Sequence, residues 1–473
     1  MKKSFLVLSL SALASISCLA SCGGNNGPKD KYQISISARS SFAEQDMLKI
    51  WKKAYEEKHP QVEIIIDGWG SSDGTSQQYI QKNALNRANL TNIIYTTDDT
   101  TALLAQKNNF VDLRPYYEAD PETDYTKYYE SMLHTTAFNG EFRPTTNYTG
   151  EYAGEKSNDK EYGVYFAPRE YNMPGLILNK KCFQEYGIAI PDKETWCWDK
   201  FVELLTTIDT KTKELAQTNN VYKLYRGIEL NHTWEPVYTS ILKELGGNGL
   251  FKFDDEYEAS SNIDSPENIA AFKKIISAFG NGARQYTLDR DASAKNFINN
   301  MTFMAAVSYP EVGNFNEVIK DFEFLPFPTE YVSAGCGGYG ILTDKVKEVQ
   351  KLKTGETAKT VDLCWDFIKF IISEEGQNLC GKKGYIQPVL KSLEKTGDWV
   401  TSYNENLDHS AFAHGKELRL DTFTFATPDK RNNLRNDIVV LMQSIFAENT
   451  TEADITAALT KANTDINKHL KNK

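Results

Sequence analysis

The 473-residue chain holds 64 acidic against 53 basic side chains and is 40% hydrophobic. An acidic balance of this size makes nucleic acid and anionic lipid poor primary partners. The length and apolar content supply core for two domains rather than one.

At the N-terminus Lys2 and Lys3 precede an apolar run, Phe5 to Leu13, and small residues lead to Ser21-Cys22. This is the layout of a cleaved secretory signal, and the run falls short of the roughly 20 residues that span a bilayer. Leu19-Ala20-Ser21-Cys22 resembles the bacterial lipobox, which implies a lipid on Cys22. "GGNNGPKDKYQ" then reads as a polar tether with roughly 17 Å of slack, holding an exported body close above the outer face of the cytoplasmic membrane. The later cysteines are Cys182, Cys197, Cys336, Cys364 and Cys380. Their odd number and the absence of C-x-x-C argue against a disulfide framework or zinc ribbon, and a Cys182 to Cys197 bridge stays open.

Strand and helix then alternate. "YQISISA" reads as a strand, and Ser41 to Glu44 has capping-box spacing before a helix with Met47, Leu48, Trp51 and Tyr55 on one face. "VEIIID" and "NIIYTTDD" are apolar runs of the kind buried in a parallel sheet. Helices follow at Trp198 to Ile208, at "TWEPVYTSILKEL" and after Ser265-Pro266-Glu267, where an N-cap precedes Pro at the first helical position. "TVDLCWDFIKFII" places Val361, Cys364, Trp365, Ile368 and Ile372 on one stripe, and two amphipathic helices, Leu434 to Glu448 and Ala453 to Leu470, close the chain. The rhythm predicts two α/β units with mixed sheets.

Between the units stands "YGVYFAPREYNMPGLILNKKCF", Tyr162 to Phe183, two apolar runs around a charged insert with no hairpin turn residues. With "GVYFA" closing one domain and "GLILNK" opening the next, Ala167 to Pro174 becomes a hinge. Ligands of open α/β sheets bind outside the carboxyl ends of the strands, so Arg169, Glu170 and Asn172 are expected at a cleft.

Gly70-Ser71-Ser72-Asp73-Gly74 fits G-x-S-x-G, the pattern of a hydrolase with Ser72 as nucleophile. A nucleophile elbow follows its strand tightly, whereas this strand ends at Asp67. The six histidines are scattered, the acidic clusters lack calcium-loop spacing, and no P-loop or dinucleotide fingerprint occurs, so neither metal nor cofactor is expected. Aromatic rings beside polar groups stand out instead: Trp69, Trp234 between His232 and Glu235, Tyr309, and Tyr339 with Gly338 in "GCGGYGI". Rings for stacking on C–H faces and planar polar side chains for hydroxyls are what a saccharide site requires.

In order along nearly the whole chain, "NALNRANLTNIIYTTDDTTALLAQKNNFVDLRPY", the crossover segment quoted above, "NNMTFMAAVSYPEVGNF", "FEFLPFP", "GGYGILTD" and "CWDFIKFIISEEGQNLCGKKGYIQP" resemble the extracellular solute-binding proteins of ABC importers, in the group of maltose- and multiple-sugar-binding lipoproteins. The resemblance implies a two-lobed type II binding-protein fold, with no enzymatic activity. Lobe 1 is expected at 33–168 plus 305–345 and lobe 2 at 169–304 plus 346–473, with the C-terminal helices free to pack back on lobe 1. It implies a monomeric receptor that hands a carbohydrate, an oligosaccharide above other sugars, to a membrane permease; a polyamine, peptide or metal complex would be the alternative ligand. Cleft roles follow for Arg39, Ser40, Trp69, Asp98, Asp99, Asn172, Tyr309, Glu311 and Tyr339. The family often has Gly-Lys before its Ala-Ala-Met strand, whereas this chain has Asn299-Asn300-Met301-Thr302.

Overall fold

The computed structural model describes residues 28–69, 78–80, 83, 85–97, 108–137, 142–144, 162–230, 233–254, 258–279, 297, 299–312, 321–402, 407–418, 428–447 and 450–471. The secretory and lipobox segment, the Ser72 loop, Asp98, Asp99 and His232 lie outside these residues.

Tyr32–Arg39 (β1) alternates buried and half-buried positions up to Ser35, then buries Ile36, Ser37 and Ala38 in succession. Helix α1, Phe42–Lys58, returns the chain so that Val62–Trp69 (β2) pairs with β1 in parallel, Tyr32 opposite Val62 through Arg39 opposite Trp69. The strand runs two residues past the expected end at Asp67, to Trp69 next to Gly70 in the sequence, because β1 pairs with it along its full length. Its buried stripe of Met47, Leu48, Trp51 and Tyr55 is the expected one. Trp51 also donates its indole N–H to the Gly376 carbonyl at 2.7 Å, so the buried polar end of the ring is satisfied.

The remaining principal strands are Ile93–Thr97 (β3), Ala167–Asn172 (β4), Pro174–Asn179 (β5), Arg226–Leu230 (β6), Thr302–Ser308 (β7), Phe322–Pro326 (β8) and Gly335–Ile341 (β9). One sheet has the order β2-β1-β3-β9-β4 and the other β8-β5-β7-β6. In the first, β9 runs antiparallel to both β3 and β4, so the sheet is mixed. Every residue of β5 is buried, as expected of a strand covered on both faces. Each sheet has its own apolar core, and the far face of the second sheet packs on a further cluster around Tyr309, Phe324, Trp399 and Phe412. The result is two lobes.

Helices Trp198–Ala216 (α2), Glu235–Glu244 (α3) and Pro266–Phe279 (α4) cover the second sheet, while Thr360–Ile371 (α5) and Glu374–Gly381 (α6) pack on the first. The last two, Pro428–Ile445 (α7) and Glu452–Lys471 (α8), place Leu434, Met442, Ile455 and Ile466 in the second core.

The lobes divide differently from the sequence expectation. The two strands at 302–308 and 322–326 belong to the second sheet, residues 346–393 pack on the first core, and the C-terminal helices stay with the second. The charged insert is itself strand β4, whereas "GVYFA" contributes only a bridge at Val164 before β4 begins at Ala167. A charged strand can sit in a sheet here because the carboxylates of Glu44 and Glu170 surround Arg169. The lobe crossing therefore narrows to Asn172-Met173-Pro174, between β4 and β5.

Cys182 and Cys197 are unbridged: the first is buried, with its thiol directed at the Asn300 carbonyl at 3.4 Å, and the second is exposed. Asn300 stands in the left-handed region, φ 57°, a conformation that glycine adopts most easily and asparagine next. Among the described residues no helix is long and apolar enough to cross a membrane.

Candidate functional site between the lobes

A cleft of about 650 Å³ separates the lobes, and its first-lobe wall is formed by strand ends. Arg39 closes β1, Thr97 closes β3, and Arg169, Glu170 and Asn172 come from β4, with Gly335, Cys336 and Gly337 from β9. This is the carboxyl-end placement that open α/β sheets give to ligands. The opposite wall holds Trp234 and Glu235 at the start of α3, Ser308 at the end of β7, Glu311 just after it, and Arg435 of α7.

Arg169 organises the first wall. Fully buried, it directs Nη1 and Nη2 at the two carboxylate oxygens of Glu44, 2.5 and 3.0 Å away, and Nη2 also donates to Glu170 Oε2 at 2.8 Å. Its guanidinium lies 4.4 Å from the centre of the Tyr95 ring, and Nη1 donates to the Tyr339 hydroxyl at 3.3 Å. Arg39 lies over Tyr95 as well, 5.2 Å from the ring centre. Glu170 Oε1 accepts from the Tyr95 hydroxyl at 3.3 Å. Burial, opposed by Arg169 and reinforced by Glu44, holds the Glu170 carboxyl above the usual carboxylate range. Burial, with the Glu170 charge adding to it, likewise keeps the Tyr95 phenol neutral.

The second wall is less deeply buried. Trp234 is half-buried, with one side against the second core and its edge toward Gly335, where a Cβ would stand in ordinary contact, 3.8 Å from Trp234 Cζ2. Glu235 accepts from Arg435 Nε at 2.8 Å, which neutralises both. Asn172 Oδ1, at the lobe crossing, is enclosed and has no hydrogen-bond partner in the chain.

Of the residues expected at the site, Arg39, Arg169, Glu170, Asn172, Trp234 and Glu311 line the cleft together. Glu311 also closes a capping box, its Oε2 accepting from the Ser308 amide at 2.8 Å and hydroxyl at 2.9 Å. Tyr309 points away, buried, edge-on to Trp399, with its hydroxyl 2.6 Å from Ser402 Oγ. Trp69 is buried against Tyr79 at 5.0 Å, and exposed Ser40 gives its amide to the Trp69 carbonyl at 3.3 Å. Tyr339 is buried behind Arg169 and edge-on to Trp51, a support and not a surface. Gly338 faces β4, where a Cβ would collide with the Ala167 carbonyl, and Gly337 faces the cleft in its place.

Glu44, Tyr95, Gly337, Glu235 and Arg435 are cleft residues that sequence reading passed over. The spacing that hid Glu44 is its capping box: Ser41 makes no side-chain cap, and Glu44 serves Arg169 instead. Arg435 was indistinguishable from any charge on an amphipathic helix.

A larger cavity, about 760 Å³, lies beside the C-terminal ends of α1 and α5 and shares no residue with the cleft. Its lysines are already engaged, Lys58 with Glu375, Lys127 with the Pro121 and Glu122 carbonyls, Lys369 with Asp120 and Lys391 with Glu417. No group of three or more metal-ligating side chains occurs among the described residues.

Two lobes joined at a short crossing, with polar strand ends facing a ring across a cleft, define a solute-binding architecture. The sequence profile of the bacterial extracellular solute-binding proteins matches residues 51–406, and the chain belongs to that family. It is accordingly an exported protein of a family of binding proteins. Its fold is similar to that of the sugar-binding protein MalE of Xanthomonas citri, with TM-score 0.65 and 11% identity over 93% of this chain and 97% of that one. The cyclic α-maltosyl-1,6-maltose binding protein of Arthrobacter globiformis aligns with TM-score 0.64 and 15% identity over 94% and 100% of the two chains. The ABC substrate-binding protein Lmo0181 of Listeria monocytogenes, solved with cycloalternan, aligns with TM-score 0.63 and 14% identity over 94% and 100%. Among curated proteins the sequence finds no match.

Proposed function

We propose that this chain is the substrate-binding component of an ABC importer, tethered by a lipid on Cys22, which captures a carbohydrate, an oligosaccharide above smaller sugars, and delivers it to the permease. The observation that carries the ligand class is the charge balance of the first wall beside Trp234. Arg39 and Arg169 stand with Glu44 and Glu170, so the wall is rich in planar polar groups yet has no net charge to select an ion. Hydroxyls satisfy such groups, and a sugar face stacks on a half-exposed indole. The sugars named for the similar structures agree with this reading. Closure would bring both walls onto the ligand, which favours the closed form because only that form touches it from both sides. Binding needs no chemistry on the ligand, so no catalytic residue is assigned.

The test is a thermal-shift screen of the chain from Gly23 onward against mono- and oligosaccharides, polyamines and peptides. A true ligand at a hundredfold its dissociation constant stabilises by about 2.7 kcal/mol. A shift with polyamines or peptides and none with any saccharide would refute the carbohydrate assignment. For the anchor, Cys22→Ser should release the protein from the membrane fraction.

A further inference from the structure

The buried ion cluster behind the cleft contains one guanidinium for two carboxylates. Glu44 engages both terminal nitrogens of Arg169, so Glu170 shares Nη2 and otherwise meets only the Tyr95 hydroxyl at 3.3 Å. The titratable and charged groups around Glu170 are Arg169 on its own strand, Glu44 on α1, Tyr95 on β3, Arg39 on β1 and, behind Arg169, Tyr339 on β9. Gly337 of β9 stands directly opposite Glu170 and brings no side chain, which leaves this carboxylate facing the cleft.

We propose that Glu170 makes occupancy of the cleft proton-linked, so that the receptor holds its solute at neutral pH and loosens it on acidification. This rests on the reading of the cleft as a site for a neutral, hydroxyl-rich solute. With Glu170 ionised, two guanidiniums face two carboxylates and the wall is neutral. A proton taken from solvent leaves the wall with a net positive charge, removes an acceptor from Arg169 and turns Glu170 from a pure acceptor of ligand hydroxyls into a donor. Burial and the Glu44 charge both favour the protonated form, so the change falls at a higher pH than for an exposed glutamate. Burial of that charge beside Glu44 costs the folded protein stability whenever Glu170 is ionised.

Melting curves of the mature chain from pH 4.5 to 7.5 test the linkage without any ligand. Glu170→Gln should melt with the wild type at pH 4.5 and above it, by roughly 2–4 °C, at pH 7.5. Glu44→Gln, which leaves Arg169 to Glu170 alone, should move the wild-type transition to lower pH, and serves if Glu170→Gln does not fold. Parallel curves for wild type and Glu170→Gln, or an unmoved transition in Glu44→Gln, overturn the proposal. With maltotriose as probe, wild-type affinity should fall at least threefold from pH 7.5 to 5 and stay constant in Glu170→Gln; equal affinity in the wild type at both values also overturns it. Absence of maltotriose binding at either pH counts against the saccharide reading, while the ligand-free curves still decide the linkage.

Discussion

Gly337 lies opposite Glu170 in the register of β9 and β4, and a Cβ built on it would come within 2.8 Å of Glu170 Oε1 while colliding with the Tyr95 hydroxyl. The smallest residue thus leaves the space that the ionised side chain occupies. Gly337→Ala should cost about 1–3 kcal/mol by overpacking. Urea denaturation measures it, and an unchanged midpoint would show that the cluster relaxes freely around a methyl group.

Arg169 holds two buried carboxylates, so its removal leaves both uncompensated. Arg169→Met should destabilise the fold by about 3–5 kcal/mol. Adding Glu44→Gln and Glu170→Gln to that variant should recover most of the loss, because a buried ion cluster replaced as a unit is far less costly than one broken in half. A triple variant as unstable as the single one would assign the damage to lost packing on Tyr95 and Tyr339.

Trp234 is the half-buried ring of the second wall, outside both sheets. Trp234→Ala should weaken the solute identified by the screen by at least tenfold, about 1.4 kcal/mol. The ligand-free melting temperature should move little. Isothermal titration checks the affinity, and a variant that binds as tightly as the wild type would remove the ring from the site.

Acid sensitivity should also arise at a residue that does not line the cleft. His409 is fully buried, 2.9 Å from the Trp399 carbonyl, and burial pushes its pKa down to about 4, with the backbone contact to Trp399 opposing. Its folded pKa lies below the unfolded value of 6.5, so unfolding takes up a proton between those values. The stability is complete above pH 6.5 and is lost as pH falls towards 4, by about 3 kcal/mol. This sign is opposite to that of Glu170. Urea midpoints across that range should fall in the wild type and flatten in His409→Gln.

Much of this was legible in the residue order. The α1 stripe, the apolar runs of β2 and β3, the Ser265 cap, whose hydroxyl accepts from the Asn268 amide at 3.2 Å, and the α5 stripe are local patterns. Each is determined by neighbours within a few residues, so spacing alone reveals it. The crossing was found for the same reason, since two apolar runs without a turn between them cannot form a hairpin. Cleft roles for Trp69 and Tyr309 were expected from ring type beside polar groups, and tertiary packing placed both rings inside the protein.

Two segments with the same Ser-x-x-Glu spacing mark the boundary between what the chain determined and what the fold decided. Ser41 to Glu44 reads as a capping box and is none, because Glu44 is recruited by Arg169, 125 residues away. Glu311, for which the family resemblance implies a cleft role, lines the cleft and also completes a true capping box with Ser308. By itself the sequence determined the alternating α/β elements, the family and the crossing, because these follow from local periodicity and motif order. Only the tertiary structure decided where each carboxylate goes, since an ion pair in a desolvated wall outcompetes a backbone cap in solvent.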